Sequence, residues 1–417
     1  NNFYNRYKEF RNFVSIFLFI RRSEMNKVYQ DETELLYCGT DFGDKAKNPE
    51  TPPIYNTTAY IVEDTHDYDF ANNGGKYFYN RTANPNRDGV AKAITYLEKG
   101  EDSIICSSGM AAISTVLLSL LKNGDHILFS KAIYGETIEI SEMMLKDFGI
   151  QMSFIDFTDL EAIEANIKEN TKIFYTEVIA NPLTDVVDLE KITEIAKKNR
   201  ILTVVDSTFT TPFSIKPLTL GADIVIHSLT KYFGGHSDIT GGSITASQKI
   251  IDIIQPKFRW LGCCMDPNSA WLTQRSIKTM SMRVNIQFSN AEKLAKALLE
   301  LPAIRMVYYP GLGNHPQHEL AKRILNGKYG AMLSFRVEDN REKVDEFIHR
   351  LKLVKYLGTL GGMRTTIAHP ATAFRKEFTQ EQLEEMGMYE GLIRISTGAE
   401  NIDDLIKDFT QALEVFK

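Results

Sequence analysis

Short apolar runs of strand length recur through the middle of the chain, at residues 103–106, 126–129, 152–155, 172–176, 201–205, 223–226 and 242–246. Amphipathic stretches of helical length separate most of them, at 111–121, 137–148, 160–169 and 189–199. Runs that are apolar on both faces and alternate with helices predict a mostly parallel sheet covered on both sides, the doubly wound α/β arrangement. Ligands in such a sheet are met at the carboxyl ends of the strands. Beyond residue 280 the pattern changes to long amphipathic helices, 288–299, 341–351 and 403–415, with fewer strands, which predicts a smaller C-terminal α+β domain. Residues 25–83, rich in Pro, Asn, Tyr and Gly, read as an irregular arm. The expected organisation is therefore an extension (1–24) outside the fold, an arm (25–83), a large domain (84–280) and a small domain (281–417).

Composition narrows the class of function. The 417 residues are 43% hydrophobic and 24% charged with a net charge of -6, the make-up of a globular protein with no electrostatic reason to bind nucleic acid. The four cysteines, Cys38, Cys106, Cys263 and Cys264, form neither a CxxC pair nor a regular framework, so free thiols, no bound metal and a cytoplasmic location are expected. The apolar stretch 12–20, flanked by Arg11, Arg21 and Arg22, is about half the ~20 residues that span a bilayer and lacks a small-residue cleavage site. Met25 serves as an alternative start. No membrane association is expected.

The chemistry-bearing residues cluster at predicted strand ends. Val225-Ile226-His227-Ser228-Leu229-Thr230-Lys231 runs from a buried strand into two hydroxyls and a lysine. A solvated lysine just past a strand explains Lys231 taken singly. The preceding strand ends in Asp206, a carboxylate that needs a cationic partner if buried; a protonated pyridine nitrogen would be one, and a turn carboxylate is the bland alternative. In Cys106-Ser107-Ser108-Gly109-Met110, small residues open a helix whose first backbone N–H groups suit a phosphate, although a tight turn accounts for them too. Tyr134 could stack on an aromatic ring or pack in the core. Arg394, a cation within the alternating run 392–396, calls for a bidentate anion such as a carboxylate, whether a ligand's or an internal one.

Together these segments resemble the Cys/Met-metabolism family of fold-type I pyridoxal-phosphate (PLP) enzymes, with an aspartate-aminotransferase-like fold. That family includes cystathionine γ-synthase, the cystathionine γ- and β-lyases, methionine γ-lyase and O-acetylhomoserine sulfhydrylase. The resemblance rests on DIVIHSLTKYFGGHSDITGG (223–242), VVDSTFTTP (204–212), ANP (180–182), SSGMAAIS (107–114), YFYNRTANP (77–85), YPGLGNHPQHELAK (309–322) and EGLIRISTGAENIDDL (390–405). It implies that Lys231 holds PLP as a Schiff base and then shuttles protons, and that Asp206 pairs with the pyridine nitrogen. Ser108, the Gly109 and Met110 amides, Ser228 and Thr230 would hold the phosphate, and Asn181 would contact the ring hydroxyl. Tyr134 would stack on the ring and assist leaving-group departure, with Arg394 on the substrate carboxylate. Tyr79 and Arg81 would reach the phosphate of a neighbouring subunit, which implies a dimer with shared sites and a homotetramer of two such dimers.

The chain departs from the family pattern near the distal end of the substrate. Glu136 stands where methionine γ-lyases carry cysteine, and the usual Ser-Leu-Gly reads as Tyr356-Leu357-Gly358, preceded by Lys355 and followed by three extra residues within 359–368. Tyr356 is thereby expected to face the substrate. The expected function is γ-elimination or γ-replacement on a sulfur amino acid or activated homoserine, as in the methionine and cystathionine γ-lyases. A cystathionine γ-synthase or O-acylhomoserine sulfhydrylase is the alternative; a β-lyase or an aminotransferase ranks lower, and a catalytically silent assembly or binding protein that kept the fold ranks last.

Overall fold

A computed structural model describes residues 30–38, 49–375 and 379–417. The expected extension 1–24, its apolar stretch and Met25 lie outside the described residues. The chain divides into two units, Asn1–Tyr37 and Cys38–Lys417. Within the first, the described part is the helix Asp31–Tyr37, whose opening turn carries Asp31, Glu32 and Glu34 where the helix dipole favours negative charge.

The second unit is built on two sheets. The larger contains β1 (Asp102–Cys106), β2 (His126–Ser130), β3 (Gln151–Ile155), β4 (Thr171–Glu177), β5 (Leu202–Asp206), β6 (Ile224–Ser228) and β7 (Gly242–Ala246) in the order β1-β7-β6-β5-β4-β2-β3. All seven strands coincide with the apolar runs in the sequence. β2 and β7 are buried at every position, which is why they read as continuous rather than alternating patterns. Pairing is parallel except at β7, which runs antiparallel to both β6 and β1. A parallel return needs a crossover, usually helical, and the connection 229–241 contains no helix, so β7 folds straight back. Because β1 and β6 both oppose β7, the carboxyl ends of β1, β2, β4, β5 and β6 share one edge of the sheet.

Helices cover this sheet where the pattern placed them, at Gly109–Leu120, Leu160–Ala165 and Leu189–Lys198. The stretch expected as one helix over 137–148 is an α-helix, Gly135–Ile140, followed by a π-helical turn, Ser141–Leu145. The Ser141 hydroxyl donates to the Thr137 carbonyl at 2.7 Å at that junction. The part of the expected arm that is described holds the helix Thr65–Asn72, started by the Asp64 side chain accepting from the Asp67 N–H, and a bridge between Ala59 and Tyr79.

The second sheet contains β8 (Met306–Tyr308), β9 (Met332–Arg336), β10 (Lys355–Tyr356), β11 (Thr366–Ala368) and β12 (Leu392–Ser396), in the order β10-β11-β12-β9-β8. Its core includes Phe335, Phe347 and Phe409, with ring centroids 6.0–6.3 Å apart, beneath the helices Arg341–Arg350 and Ile402–Ala412. The helix expected from residue 288 begins eight residues earlier and spans Met280–Leu299. Its first half buries Arg283 and Gln287, polar residues that interrupt the apolar stripe because they bond to loop carbonyls instead of packing in the core. Among the described residues no helix is long and apolar enough to cross a membrane.

Candidate active site

Three strand ends place the principal groups. β1 passes through Ser107 to Ser108, which caps the helix Gly109–Leu120: its hydroxyl accepts the Ala111 N–H at 3.0 Å. The Gly109 and Met110 N–H groups then open the helix without intrahelical acceptors, a ready site for an anion. Ser228, at the end of β6, packs against this opening so closely that a Cβ on Gly109 would lie 2.9 Å from the Ser228 Cβ. The Thr230 hydroxyl accepts the Gly241 N–H at 3.1 Å, so it braces the β6–β7 connection as well as facing this side. Thr208 ties the strands together: its hydroxyl accepts the Ser228 N–H at 2.8 Å, and its own N–H donates to Asp206 at 3.0 Å.

Asp206 ends β5 and is buried. Burial pushes its carboxyl above the ordinary range, with the two Thr208 contacts pulling the other way. Among the described residues it makes no ion pair. Lys231 is in a complementary position: burial pushes its ammonium below the usual lysine value, the Arg394 charge pushes it further, and Glu136 opposes both. Its Nζ is 3.4 Å from the Thr359 hydroxyl. The backbone around it is clamped from two sides. Arg283 donates to the Tyr232 carbonyl at 2.9 Å, and Gly361, at φ 75°, presses on the Lys231–Tyr232 peptide so that a Cβ there would lie 2.8 Å from the Tyr232 nitrogen.

Arg394 is drawn down by burial and reaches the Asn181 side-chain oxygen at 3.1 Å, joining two residues far apart in sequence. Tyr134 remains 42% exposed, enough to meet a ligand, and its phenol keeps its proton well above the usual tyrosine range because of burial, a hydrogen bond with Glu136 and that residue's charge. Tyr79 and Arg81 stand apart from Lys231: Arg81 donates to the Arg259 carbonyl at 2.5 Å and lies 5.6 Å from the Tyr79 ring centre.

Tyr356 lies in the two-residue strand β10, 47% exposed, and the segment that meets Lys231 is Thr359-Leu360-Gly361, three residues further on. Two residues escaped the sequence reading. Thr359 was hidden by the choice of frame, and Glu177, whose carboxylate accepts the Tyr134 N–H at 2.7 Å, looked like any acid at a strand end.

Comparison with known proteins identifies the family: the chain belongs to the Cys/Met metabolism PLP-dependent enzyme family, whose model matches residues 32–414. It is 40% identical over 381 residues to the cystathionine gamma-lyase of Bacillus subtilis (strain 168), covering 91% of this chain and 98% of that protein. It is 38% identical over 375 residues to the L-methionine gamma-lyase of Fusobacterium nucleatum subsp. polymorphum, covering 87% and 93%. Among solved structures, a putative O-acetylhomoserine (thiol)-lyase from Campylobacter jejuni subsp. jejuni NCTC 11168, containing N'-pyridoxyl-lysine-5'-monophosphate, superimposes with a TM-score of 0.87 at 30% identity over 93% of this chain and 100% of that one. The protein is thus a fold-type I PLP-dependent enzyme, a carbon–sulfur lyase or trans-sulfuration transferase of methionine and cysteine metabolism.

The residues present fit the cofactor. Asp206 is a buried carboxylate with no cation of its own among the described residues, suited to a protonated ring nitrogen. Lys231 is a half-buried amine biased toward its neutral, nucleophilic form. Gly109 lets Ser228 close on the helix opening, which sets the Ser228 hydroxyl beside the first helical amides, donors suited to a phosphate.

Proposed function

We propose that the enzyme catalyses γ-elimination on a sulfur amino acid, with γ-replacement on an activated homoserine as the alternative outcome at the same site. PLP supplies a ring that accepts the electrons released when a bond at Cα breaks. Lys231 holds that ring and, once displaced by the substrate amine, takes and returns protons along the carbon chain; its lowered basicity suits both tasks. Asp206 fixes the ring nitrogen, and the Gly109 and Met110 amides with Ser228 and Thr230 fix the phosphate. Arg394, oriented by Asn181, binds the substrate carboxylate. Tyr134 stacks on the ring and, keeping its proton, donates it to the departing sulfur. Tyr79 and Arg81 act on the site of a second subunit in a homodimer, two of which make a tetramer.

The observation that carries this reading is the half-buried Lys231, on which the charges of Arg394 and Glu136 both act, with Glu136 in turn hydrogen-bonded to Tyr134: a proton shuttle near both a carboxylate clamp and an acid. Glu136, whose charge acts on both Tyr134 and Lys231, favours a distal end that bears an ammonium, as cystathionine does, over the methylthio end of methionine. L-Cystathionine decides the regiochemistry: γ-cleavage yields 2-oxobutanoate, cysteine and ammonia, and β-cleavage yields pyruvate, homocysteine and ammonia. Pyruvate as the main oxo acid would overturn the proposal. Cystathionine formed from O-acetyl- or O-succinylhomoserine plus cysteine, without oxo acid, would assign a synthase.

A further inference from the structure

Beneath Tyr134 lies a second buried acid to which the reaction assigns no task. Glu177 ends β4 in register with Asp206 on the adjacent strand β5, and both side chains are buried, at 5% and 7% exposure. One Glu177 oxygen accepts the Tyr134 N–H at 2.7 Å; the other is buried without a hydrogen-bond partner. Among the described residues neither carboxylate makes an ion pair. Among the described residues the cation-forming group that bears on Asp206 is the His227 imidazole on β6, hydrogen-bonded to Glu98 at 2.6 Å, which favours the charged form of Asp206; Tyr175 on β4 presents a neutral phenol toward Asp206 and Glu177.

Two carboxylates on neighbouring strands in a water-excluded layer cannot both carry charge without a cation between them. Asp206 is the one stabilised as an anion, through the Thr208 amide and, in the loaded enzyme, through the ring nitrogen. Glu177 accepts a single amide, and burial first, then the Asp206 charge, push its carboxyl well above the ordinary range.

We propose that Glu177 is a positioning residue that anchors Tyr134 through its backbone and stays an uncharged acid, so that Asp206 is the single negative charge under the cofactor ring. The second half of this role holds whatever substrate the enzyme takes, and the first rests on the reading of Tyr134 as the ring-stacking phenol. Both follow from one geometry: the same carboxyl accepts the Tyr134 N–H and belongs to the register partner of Asp206 on the adjacent strand. An ionised Glu177 would compete with Asp206 for the ring's proton, and a residue without an acceptor at this point would release the Tyr134 amide.

The protonation state is tested on the apo-protein, independently of any reaction. Infrared spectra between neutral and mildly alkaline pH should contain a protonated-carboxyl C=O band that disappears in Glu177→Gln; its absence from the wild type, or its persistence in the variant, overturns the uncharged-acid half. Positioning is tested on the PLP-loaded enzyme. Glu177→Gln, neutral and still able to accept the Tyr134 N–H, should leave kcat/KM and its pH profile unchanged, whereas Glu177→Leu should lower kcat by about tenfold or more, the equivalent of one buried amide losing its acceptor. An altered pH profile in Glu177→Gln, or an undiminished kcat in Glu177→Leu, overturns the role. Should Glu177→Leu fail to fold, the Gln variant and the infrared band still decide. A wild type that lacks γ-cleavage but retains the band would refute the proposed reaction and leave the buried acid standing.

Discussion

Gly242→Ala places a methyl group where Ser108, the cap of the helix Gly109–Leu120, meets the sheet. Gly242 is held on both sides, paired with Cys106 of β1 and Ser228 of β6, so it cannot retreat. A Cβ there would lie 2.7 Å from the Ser108 carbonyl carbon, closer still to that carbonyl oxygen, and 3.1 Å from the Ala112 Cβ. Ser108 must therefore give by more than the ~0.7 Å that its carbonyl carbon alone would need to regain ordinary contact at 3.4 Å, because its carbonyl oxygen lies nearer still. That movement strains two bonds at once, the Ala112 N–H to the Ser108 carbonyl at 3.1 Å and the Ala111 N–H to the Ser108 hydroxyl at 3.0 Å. Overpacking costs about 1–3 kcal/mol and a lost N-cap about 1 kcal/mol, so the local penalty is about 2–4 kcal/mol. Because the displaced atoms open the helix proposed to receive the phosphate, part of this penalty should fall on cofactor affinity, at about tenfold per 1.4 kcal/mol. Titration of the apo-variant with PLP, followed by absorbance, should give a Kd at least about tenfold weaker than wild type, with a lowered Tm. Wild-type affinity and Tm in Gly242→Ala would refute the reasoning.

Two further outcomes follow. Cys263, 3.2 Å from the Thr115 hydroxyl, is drawn down to about 6, first by a hydrogen bond with the Cys106 thiol, whereas burial pushes Cys106 well up. The thiolate fraction of Cys263 therefore rises with pH and is nearly complete by about pH 7, so its alkylation by iodoacetamide, read by peptide mass spectrometry, should plateau there with Cys106 unlabelled; a rate still climbing at about pH 9 would contradict this. Phe409→Ala removes a fully buried ring from against Phe335 and Phe347 and should cost about 3–5 kcal/mol in urea unfolding; a loss under about 1 kcal/mol would show that this core is not packed as described.

The seven strands of the larger sheet were legible because each is buried along its length, leaving continuous apolar runs that turns and helices separate. The direction of β7 was not, since orientation is set by the 229–241 connection and leaves no trace in the apolarity of the strand. The early start of the helix Met280–Leu299 was masked because Arg283 and Gln287 spend their polarity on the Tyr232 and Gly362 carbonyls in the interior. Lys231, Asp206, Ser108 and Arg394 stood out as candidates only in company, since each taken singly also fits a solvated, turn, capping or ion-paired residue, and the roles expected of them came from the resemblance. Thr359 was not, because a motif that occurs in two frames, Tyr356-Leu357-Gly358 and Thr359-Leu360-Gly361, is resolved only by which glycine presses on the Lys231 peptide. Glu177 was invisible for a related reason: its significance depends on strand register, which sets it beside Asp206.

The central claim is that Lys231 carries the cofactor. Reduction of the PLP-loaded enzyme with borohydride, followed by proteolysis and mass spectrometry, should place a pyridoxyl group on the peptide containing Lys231 and bleach the yellow absorbance, while Lys231→Ala should show neither the colour nor the label. A pyridoxyl group on any other lysine, or a yellow Lys231→Ala protein, would contradict the account.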